Sequence, residues 1–199
     1  LEPLLEETVK GASDRTAASR KLVIVPHGLL HRVPFHALFD GGSYLLERFE
    51  VSYAPSAKVY SLCQNRIPRG FDKALVLGVA DPSIPAVAEE TQAVVRHLPA
   101  AELQATVEAL RLKVPGCGVL HLACHGMFRV DNPMFSSLKV GDGWLAASDV
   151  IQLDLAGALV TLSACESGRN EVYAGDELMG LTRALLGAGA TTLVASLWL

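Results

Sequence analysis

Two reactive side chains, an imidazole and a thiol, each follow an apolar run of strand length. The run VLHLACHG at 119–126 ends in His125 and Gly126, and the run LVTLSACESG at 159–168 contains Cys165. A continuous apolar run bounded by turn residues is typical of a strand that is buried on both faces. In an open parallel sheet, functional side chains collect at the carboxyl ends of such strands. If the two strands are neighbours, this pattern predicts a cysteine nucleophile with a histidine base.

Backbone amides beside this pair could stabilise a developing negative charge. Side chains alternate along a strand, so His121 and His125 share one face and Cys124 lies on the other. Gly126 lets the chain turn directly after the histidine. We expect the amides of Gly126 and Cys165 to form the oxyanion hole of an acyl-transfer site. The alternative is a buried histidine and a buried cysteine without chemistry, because a free cysteine packs as a small hydrophobic residue.

No third residue that would orient the His125 imidazole is obvious in the sequence. A backbone carbonyl or His121 could do so. A histidine inside an apolar strand, however, is more often a packed neighbour of the site than a part of it. We therefore expect a catalytic dyad of His125 and Cys165, with His121 as a structural residue.

Three stretches of the chain resemble the CHAT domain, a caspase- and separase-related family of cysteine peptidases. They are HLACHG, LSACESG and GDELMGLTRALLGAGATTLVASLW at 175–198. The stretch at 22–56 is similar to the usual opening of the same family, so the resemblance runs from about residue 20 to the last residue. It implies an α/β, caspase-like three-layer fold with a mostly parallel central sheet and helices on both faces. It also implies that His125 is the general base and Cys165 the nucleophile.

The pattern and the resemblance lead to one functional hypothesis and one alternative. The hypothesis is a cysteine endopeptidase that cleaves protein substrates and is regulated by an activating partner or a repeat domain, since CHAT domains commonly follow helical repeats. The alternative is a catalytically inactive caspase-like scaffold for protein interaction. Positioned thiols also serve transferases and glutamine amidotransferases, so a Cys–His pair alone does not specify proteolysis. The presence of both His125 and Cys165 favours the peptidase.

Composition argues against several other classes of protein. With 199 residues and 50% apolar residues, the chain can bury one substantial core. A net charge of −4, from 17 basic and 21 acidic residues without a basic run, argues against nucleic-acid binding. No apolar run reaches the roughly 18 residues that a membrane span needs. Four cysteines without a CxxC pair indicate a reducing, cytoplasmic location.

We expect neither a cofactor nor a metal ion. The most concentrated set of potential ligands is His27, His31 and His36, which lie in a proline-containing loop at spacings that suit turns and packing better than metal binding. No glycine pattern of a dinucleotide site follows the strand predicted at 74–82.

Strands alternate with helices along the chain, which is the pattern of a doubly wound parallel sheet. The apolar runs predict strands at 21–25 (a central strand), at 74–82 and after residue 190; periodicity predicts helices at 86–99, 101–113 and 177–187, and glycines predict a hairpin at 141–143. Residues 1–19 are expected to form an N-terminal helix and connector. Residues 20–199 are expected to form the caspase-like CHAT peptidase domain, truncated at both ends.

Acidic residues near the predicted nucleophile could select the substrate. Glu166 follows Cys165, Asp176 ends a polar stretch that is expected to be a mobile loop, and Asp149 lies in the segment at 127–155 that is inserted between the two strands. A carboxylate in a partly buried pocket would favour Lys or Arg before the scissile bond, because an unpaired buried charge is costly. The alternative is that Asp176 caps the helix that begins at Glu177 and that Glu166 faces solvent.

Overall fold

The fold is given by a computed structural model that describes residues 20–98, 100–102, 106–129, 131–141, 143–164 and 177–195. The strands are β1 (Arg20–Ile24), β2 (Phe49–Tyr53), β3 (Ala74–Gly78), β4 (Ala100–Glu102), β5 (Val119–Ala123), β6 (Gly126–Met127), β7 (Ser137–Val140), β8 (Gly143–Ala146), β9 (Leu159–Ser163) and β10 (Thr192–Ala195). The helices are α1 (Leu45–Arg48), α2 (Ala57–Gln64), α3 (Ala86–His97), α4 (Val107–Lys113), α5 (Ala147–Val150) and α6 (Glu177–Gly187). The helix predicted within residues 1–19 lies outside the described ranges.

Five strands form a parallel sheet in the order β10-β9-β5-β3-β4. The central strand β5 pairs in register along its whole length with β3 on one side and with β9 on the other. All five residues of β5 are buried, as expected for a parallel strand covered on both faces. The predicted α/β class with a mostly parallel central sheet is confirmed, and the strands that precede His125 and Cys165 are neighbours.

Helices cover both faces of this sheet and complete the three layers. On one face, Leu120 of β5 packs in the main hydrophobic core with Leu110 of α4 and Leu185 of α6. On the other face, α3 approaches so closely that a Cβ added to Gly78 would overlap the Thr91 side chain. Burying each such leucine contributes about 2 kcal/mol, so the core fixes the sheet against α4 and α6. Within the described ranges, no helix has both the length and the apolar character to cross a membrane.

The first two strands form a separate parallel pair, so the prediction of a central strand at 21–25 is wrong. β1 pairs with β2 in a two-stranded sheet, and its residues are mostly half-buried. A small core of Phe35, Leu45 and Phe49 lies beside this pair. A short apolar run does not by itself distinguish a central strand from a half-exposed one, which is why the sequence misled here.

Residues 100–113 contain a strand before their helix, which corrects the prediction of one continuous helix at 101–113. β4 pairs in parallel with the first three residues of β3. Helix α4 begins only after Thr106, whose hydroxyl accepts a hydrogen bond from the Ala109 N–H at 3.1 Å. Alanine and glutamate favour helix, but tertiary contacts override this weak preference over three residues.

After His125 the chain leaves the parallel sheet and forms the antiparallel unit β6-β7-β8. β7 and β8 are the two arms of the hairpin that the glycines at 141–143 predict. Leu138 and Leu145 of this unit belong to the main core. A short 3-10 helix, Pro133–Phe135, joins β6 to β7 and packs against α6. The unit, which we call the insertion (126–146), therefore begins at the carboxyl end of β5.

Candidate active site

The carboxyl ends of β5 and β9 lie side by side. Their pairing continues past the end of β5, because the Cys124 N–H donates to the Ser163 carbonyl at 3.1 Å. His125 directly follows Cys124 beyond β5. Ala164 and then Cys165 follow Ser163 at the end of β9. Cys165 lies outside the described residues, and we predict that its sulfur lies within roughly 3–6 Å of a ring nitrogen of His125.

The imidazole of His125 contacts two polar side chains of the loop that follows β3. Its Nε2 lies 2.8 Å from Asp81 Oδ2 and 3.1 Å from Ser83 Oγ. The loop reaches the site because β3 is the other neighbour of β5, and the Val79 N–H donates to the Ala123 carbonyl at 2.9 Å. The His125 side chain is 16% exposed, so it is accessible from solvent at the rim of the sheet.

Asp81 and Ser83 are absent from the site that the sequence predicts, in which no third residue is obvious. Asp81 lies in the orienting position for which the sequence offered only a backbone carbonyl or His121, the latter being the less favoured. The signal for it is the Asp81-Pro82 turn directly after a buried strand. That signal becomes specific only when β3 is known to be the neighbour of β5.

Asp81 is an ionised hydrogen-bond acceptor at neutral pH. Its Oδ1 accepts from the Ser83 N–H at 2.8 Å and from the Ser83 hydroxyl at 2.6 Å. These bonds, assisted by the hydrogen bond and charge of His125, outweigh the opposing effect of burial and lower the pKa of Asp81 to about 2. The carboxylate is therefore charged at all but strongly acidic pH and can only accept hydrogen bonds.

The amide of Gly126 points away from the strand with which β6 pairs. The Lys139 N–H donates to the His125 carbonyl at 2.7 Å, so these two residues form a hydrogen-bonded pair of the β6–β7 ladder. Such pairs alternate with non-hydrogen-bonded pairs in an antiparallel ladder, so Gly126, opposite Leu138, directs its N–H away from β7. A Cβ added to Gly126 would lie 3.5 Å from the Cβ of Ala164, which places Gly126 beside the end of β9.

His121, on the same strand face as His125, is buried in a polar network below the rim. It is 6% exposed, and its Nδ1 lies 2.6 Å from Thr161 Oγ1. Its Nε2 lies 3.3 Å from Glu90 Oε1 but without the geometry of a hydrogen bond. Burial lowers the pKa of His121 more than the charge of Glu90 raises it. Glu90, in α3, also accepts a hydrogen bond from the Ser163 hydroxyl at 3.1 Å. This helix therefore contacts both β5 and β9 just below their carboxyl ends.

The other three cysteines are free thiols: Cys117 and Cys124 are buried and Cys63 is half-buried. Burial raises the pKa of Cys117 and raises that of Cys124 to about 12. Neither thiol therefore ionises readily at neutral pH. Cys124 packs in the main core, on the sheet face opposite His125.

Of the acidic residues that could select a substrate, Asp149 is the one within the described ranges. It lies in α5 at the surface, with Oδ1 3.9 Å from Arg111 Nη2. Glu166 and Asp176, together with the rest of the predicted mobile loop at 166–176, lie outside the described residues. In the insertion, Arg129 and Asp131 form an exposed two-point ion pair at 2.9 and 2.7 Å.

A separate cavity of about 620 Å³ lies between β2 and β10. Its walls include Tyr53, Val194, His31 and His36, and His125 does not line it. His36 Nδ1 lies 2.8 Å from the Tyr53 hydroxyl, which accounts for one of the loop histidines. In the part of the chain that the structure describes, no group of three or more His, Cys, Asp or Glu side chains is placed to hold a metal ion.

The parallel sheet, the helices on both faces and a histidine at the carboxyl edge define an α/β domain of the caspase-like class. The family model of the CHAT domain matches residues 1–199, and the chain belongs to this family. The match includes the residues that carry the resemblance in the sequence.

Two curated relatives are similar to the chain over almost its whole length. Tetratricopeptide repeat protein 28 from Homo sapiens is 26% identical over 257 residues, which cover 98% of this chain and 10% of the relative. Tetratricopeptide repeat protein 28 from Mus musculus is 26% identical over 256 residues, with the same coverage of 98% and 10%. The chain thus spans about a tenth of the length of these relatives.

Proposed function

We propose that this chain is a cysteine endopeptidase that cleaves protein substrates with Cys165 as the nucleophile and His125 as the general base. The parallel pairing of β5 with β9 carries this proposal, because it brings the two strand ends together as far as Cys124 and Ser163. His125 and Cys165 follow these paired residues by one and two positions in the sequence. Membership of the CHAT family supports the same pair.

Each residue of this site has a defined task in peptide cleavage. Cys165 passes its thiol proton to His125, and the thiolate attacks the carbonyl carbon of the peptide bond. The amides of Gly126 and Cys165 donate to the oxyanion. His125 then gives its proton to the leaving amine as the C–N bond breaks, and water hydrolyses the thioester and restores the thiol.

We also propose that a helical-repeat segment or a partner protein regulates this activity in the cytoplasm. The relatives carry the tetratricopeptide repeat in their name, and this chain spans about a tenth of their length. Free thiols at Cys63, Cys117 and Cys124 support a reducing compartment. No cofactor is needed for the chemistry of the Cys–His pair.

A thiol-reactive peptide probe is expected to label Cys165 in the purified chain, because the neighbouring imidazole supplies the thiolate. Mass spectrometry of the digested protein locates the label. Cys117 and Cys124 are internal controls, since burial raises the pKa of both thiols. Cys165→Ala is expected to abolish labelling, and Cys63→Ala, which removes the half-buried thiol, is expected to leave it unchanged. Equal labelling of several cysteines, or none, would favour the inactive caspase-like scaffold instead.

We further propose that Glu166 and Asp176 select a basic residue before the scissile bond, with a smaller part for Asp149, whose charge Arg111 partly balances. Cleavage of a peptide library is expected to favour Lys and Arg at that position. Glu166→Gln or Asp176→Asn is expected to reduce the preference about tenfold, the value of one charge-assisted hydrogen bond.

Asp131→Asn is the control for this library, because it removes an exposed carboxylate that is already paired with Arg129. It is expected to leave the cleavage profile unchanged. The contrary result is that the wild type cleaves peptides with a neutral residue before the scissile bond at the same rate as peptides with Lys or Arg there. That result would show that the carboxylates do not select the substrate, and it would leave the roles of Cys165 and His125 unaffected.

A further inference from the structure

Among the described residues, the side chains of Asp81 and Ser83 face the Nε2 atom of His125, and both are arranged as hydrogen-bond acceptors. Asp81 is ionised, so its Oδ2, at 2.8 Å, needs a hydrogen on Nε2. The single hydrogen of the Ser83 hydroxyl is directed to Asp81 Oδ1 at 2.6 Å. The Ser83 oxygen, at 3.1 Å from Nε2, therefore presents a lone pair to the same hydrogen. A hydrogen on Nε2 satisfies both contacts, whereas a lone pair there would face two acceptors.

We propose that Asp81, held by Ser83, is a positioning residue that fixes His125 in the tautomer protonated at Nε2 and thereby makes Nδ1 the atom that accepts the Cys165 proton. The catalytic part of this inference rests on the proposed peptidase function. The tautomer itself does not depend on that function, because it follows from the contacts of Nε2.

The proton balance of the first step is simple with this tautomer. The neutral imidazole carries its hydrogen on Nε2 and a lone pair on Nδ1. The thiol proton of Cys165 moves to Nδ1, which leaves a thiolate and an imidazolium. The imidazolium keeps its Nε2–H bond to Asp81, and the carboxylate lies against the new positive charge. The same Nδ1 proton later goes to the leaving amine, so no other reactant is required.

The loop that carries Asp81 is held in place before any substrate binds. Its carboxylate accepts two hydrogen bonds from Ser83, and its carbonyl accepts one from the Ile84 N–H at 3.1 Å. Pro82 restricts the backbone between these contacts, and α3 begins shortly afterwards at Ala86. This arrangement sets the position of the carboxylate in advance, which is what a residue that orients a base must provide.

The Nε2–H tautomer can be measured directly by NMR on protein with 15N-labelled histidine. Every tautomer is measured in the Cys165→Ala background at alkaline pH, where imidazoles are neutral, and His125→Gln assigns the signal. In these comparisons the wild-type tautomer is that of the protein with Asp81 and Ser83 unchanged. We expect His125 to show protonation at Nε2. Protonation at Nδ1, or rapid exchange between the two forms, would overturn the proposal.

Asp81→Asn separates orientation from simple packing. Its amide oxygen is expected to keep the two hydrogen bonds from Ser83, so its NH2 group replaces Oδ2 against Nε2. A donor there requires a lone pair on Nε2, so His125 is expected to change to the Nδ1–H tautomer. Asp40→Asn is the control, because Asp40 is likewise a turn carboxylate with one oxygen accepting two hydrogen bonds, here from the Gly42 and Ser43 N–H groups, but its other oxygen pairs with Arg48. It is expected to leave the His125 signal unchanged.

The rate at which iodoacetamide alkylates Cys165 gives the catalytic readout. Asp81→Asn is expected to slow alkylation about 10²-fold or more, because Nδ1 no longer accepts the thiol proton. Ser83→Ala, which removes the hydroxyl but retains the carboxylate, is expected to slow it less and to keep the Nε2–H tautomer. An unchanged tautomer in folded Asp81→Asn overturns the inference. If Asp81→Asn does not fold, the tautomer of His125 with Asp81 in place and the alkylation rate of Ser83→Ala still test the inference.

The two readouts also separate this inference from the proposed function. A wild-type Nε2–H tautomer that Asp81→Asn reverses supports the role of Asp81, even if peptide probes fail to label Cys165 and the peptidase proposal falls. Efficient peptide cleavage together with an Nδ1–H tautomer in the wild type overturns the role of Asp81 and leaves the peptidase standing.

Discussion

Substituting His125 with alanine is expected to reduce peptide hydrolysis by about 10²- to 10⁴-fold, the usual contribution of a general acid–base catalyst. The fold is expected to survive, because this imidazole lies at the rim of the sheet and its contacts with Asp81 and Ser83 involve an exposed loop. Hydrolysis of a peptide substrate and thermal unfolding of the same preparation measure the two effects separately.

His121→Ala is the control for this experiment, because it removes the same type of side chain from β5, on the sheet face that His125 shares just beyond the end of this strand. His121 is 6% exposed and bonded to Thr161, so its loss is expected to lower the free energy of unfolding by about 1–3 kcal/mol. Hydrolysis by the folded molecules is expected to change by only a few-fold. If His125→Ala cleaves peptides at the wild-type rate, His125 is not the base.

The sequence was sufficient to predict the strands that precede His125, Cys165 and Asp81, and the reason is physical. β3 and β5 are buried on both faces, and β9 is buried on one face and half-buried on the other, so each is a largely apolar run that ends in a turn. β5 ends at Ala123, so His125 lies two positions beyond a strand, close to the strand end that the apolar run predicts. Elements that depend on tertiary contacts were not readable in this way. β4 is three residues long and is a strand because it pairs with β3. The apolar run at 21–25 does not indicate that its strand pairs with β2 outside the main sheet.

Asp81 shows why part of the site could not be predicted. It meets His125 across 44 positions of sequence, and the contact arises because β3, which precedes Asp81, is a neighbour of β5, which precedes His125. The order of strands in a sheet is not contained in the apolar pattern of any one strand. An Asp-Pro turn is also common after strands, so its chemistry becomes visible only beside the imidazole.

Substituting Gly180 with alanine is expected to lower the free energy of unfolding by about 2 kcal/mol, a typical cost of overpacking. Gly180 is buried in α6 against the 3-10 helix Pro133–Phe135. A Cβ at this position would overlap the Pro133 carbonyl oxygen and lie 2.6 Å from its carbonyl carbon. The helix preference of alanine over glycine, worth about 1 kcal/mol, does not offset a collision with backbone atoms. Urea unfolding of both proteins measures the difference.

The same substitution is also expected to reduce peptide hydrolysis, because Pro133 belongs to the insertion that begins with Gly126. Moving the 3-10 helix away from α6 shifts β6, and with it the amide that we propose for the oxyanion hole. Gly143→Ala is the matched control, since a Cβ at Gly143 meets no atom within 4 Å. That change is expected to leave hydrolysis intact and to raise stability by about 0.5 kcal/mol, through the unfolded chain. Equal stability of the two variants would mean that α6 does not hold the insertion in place.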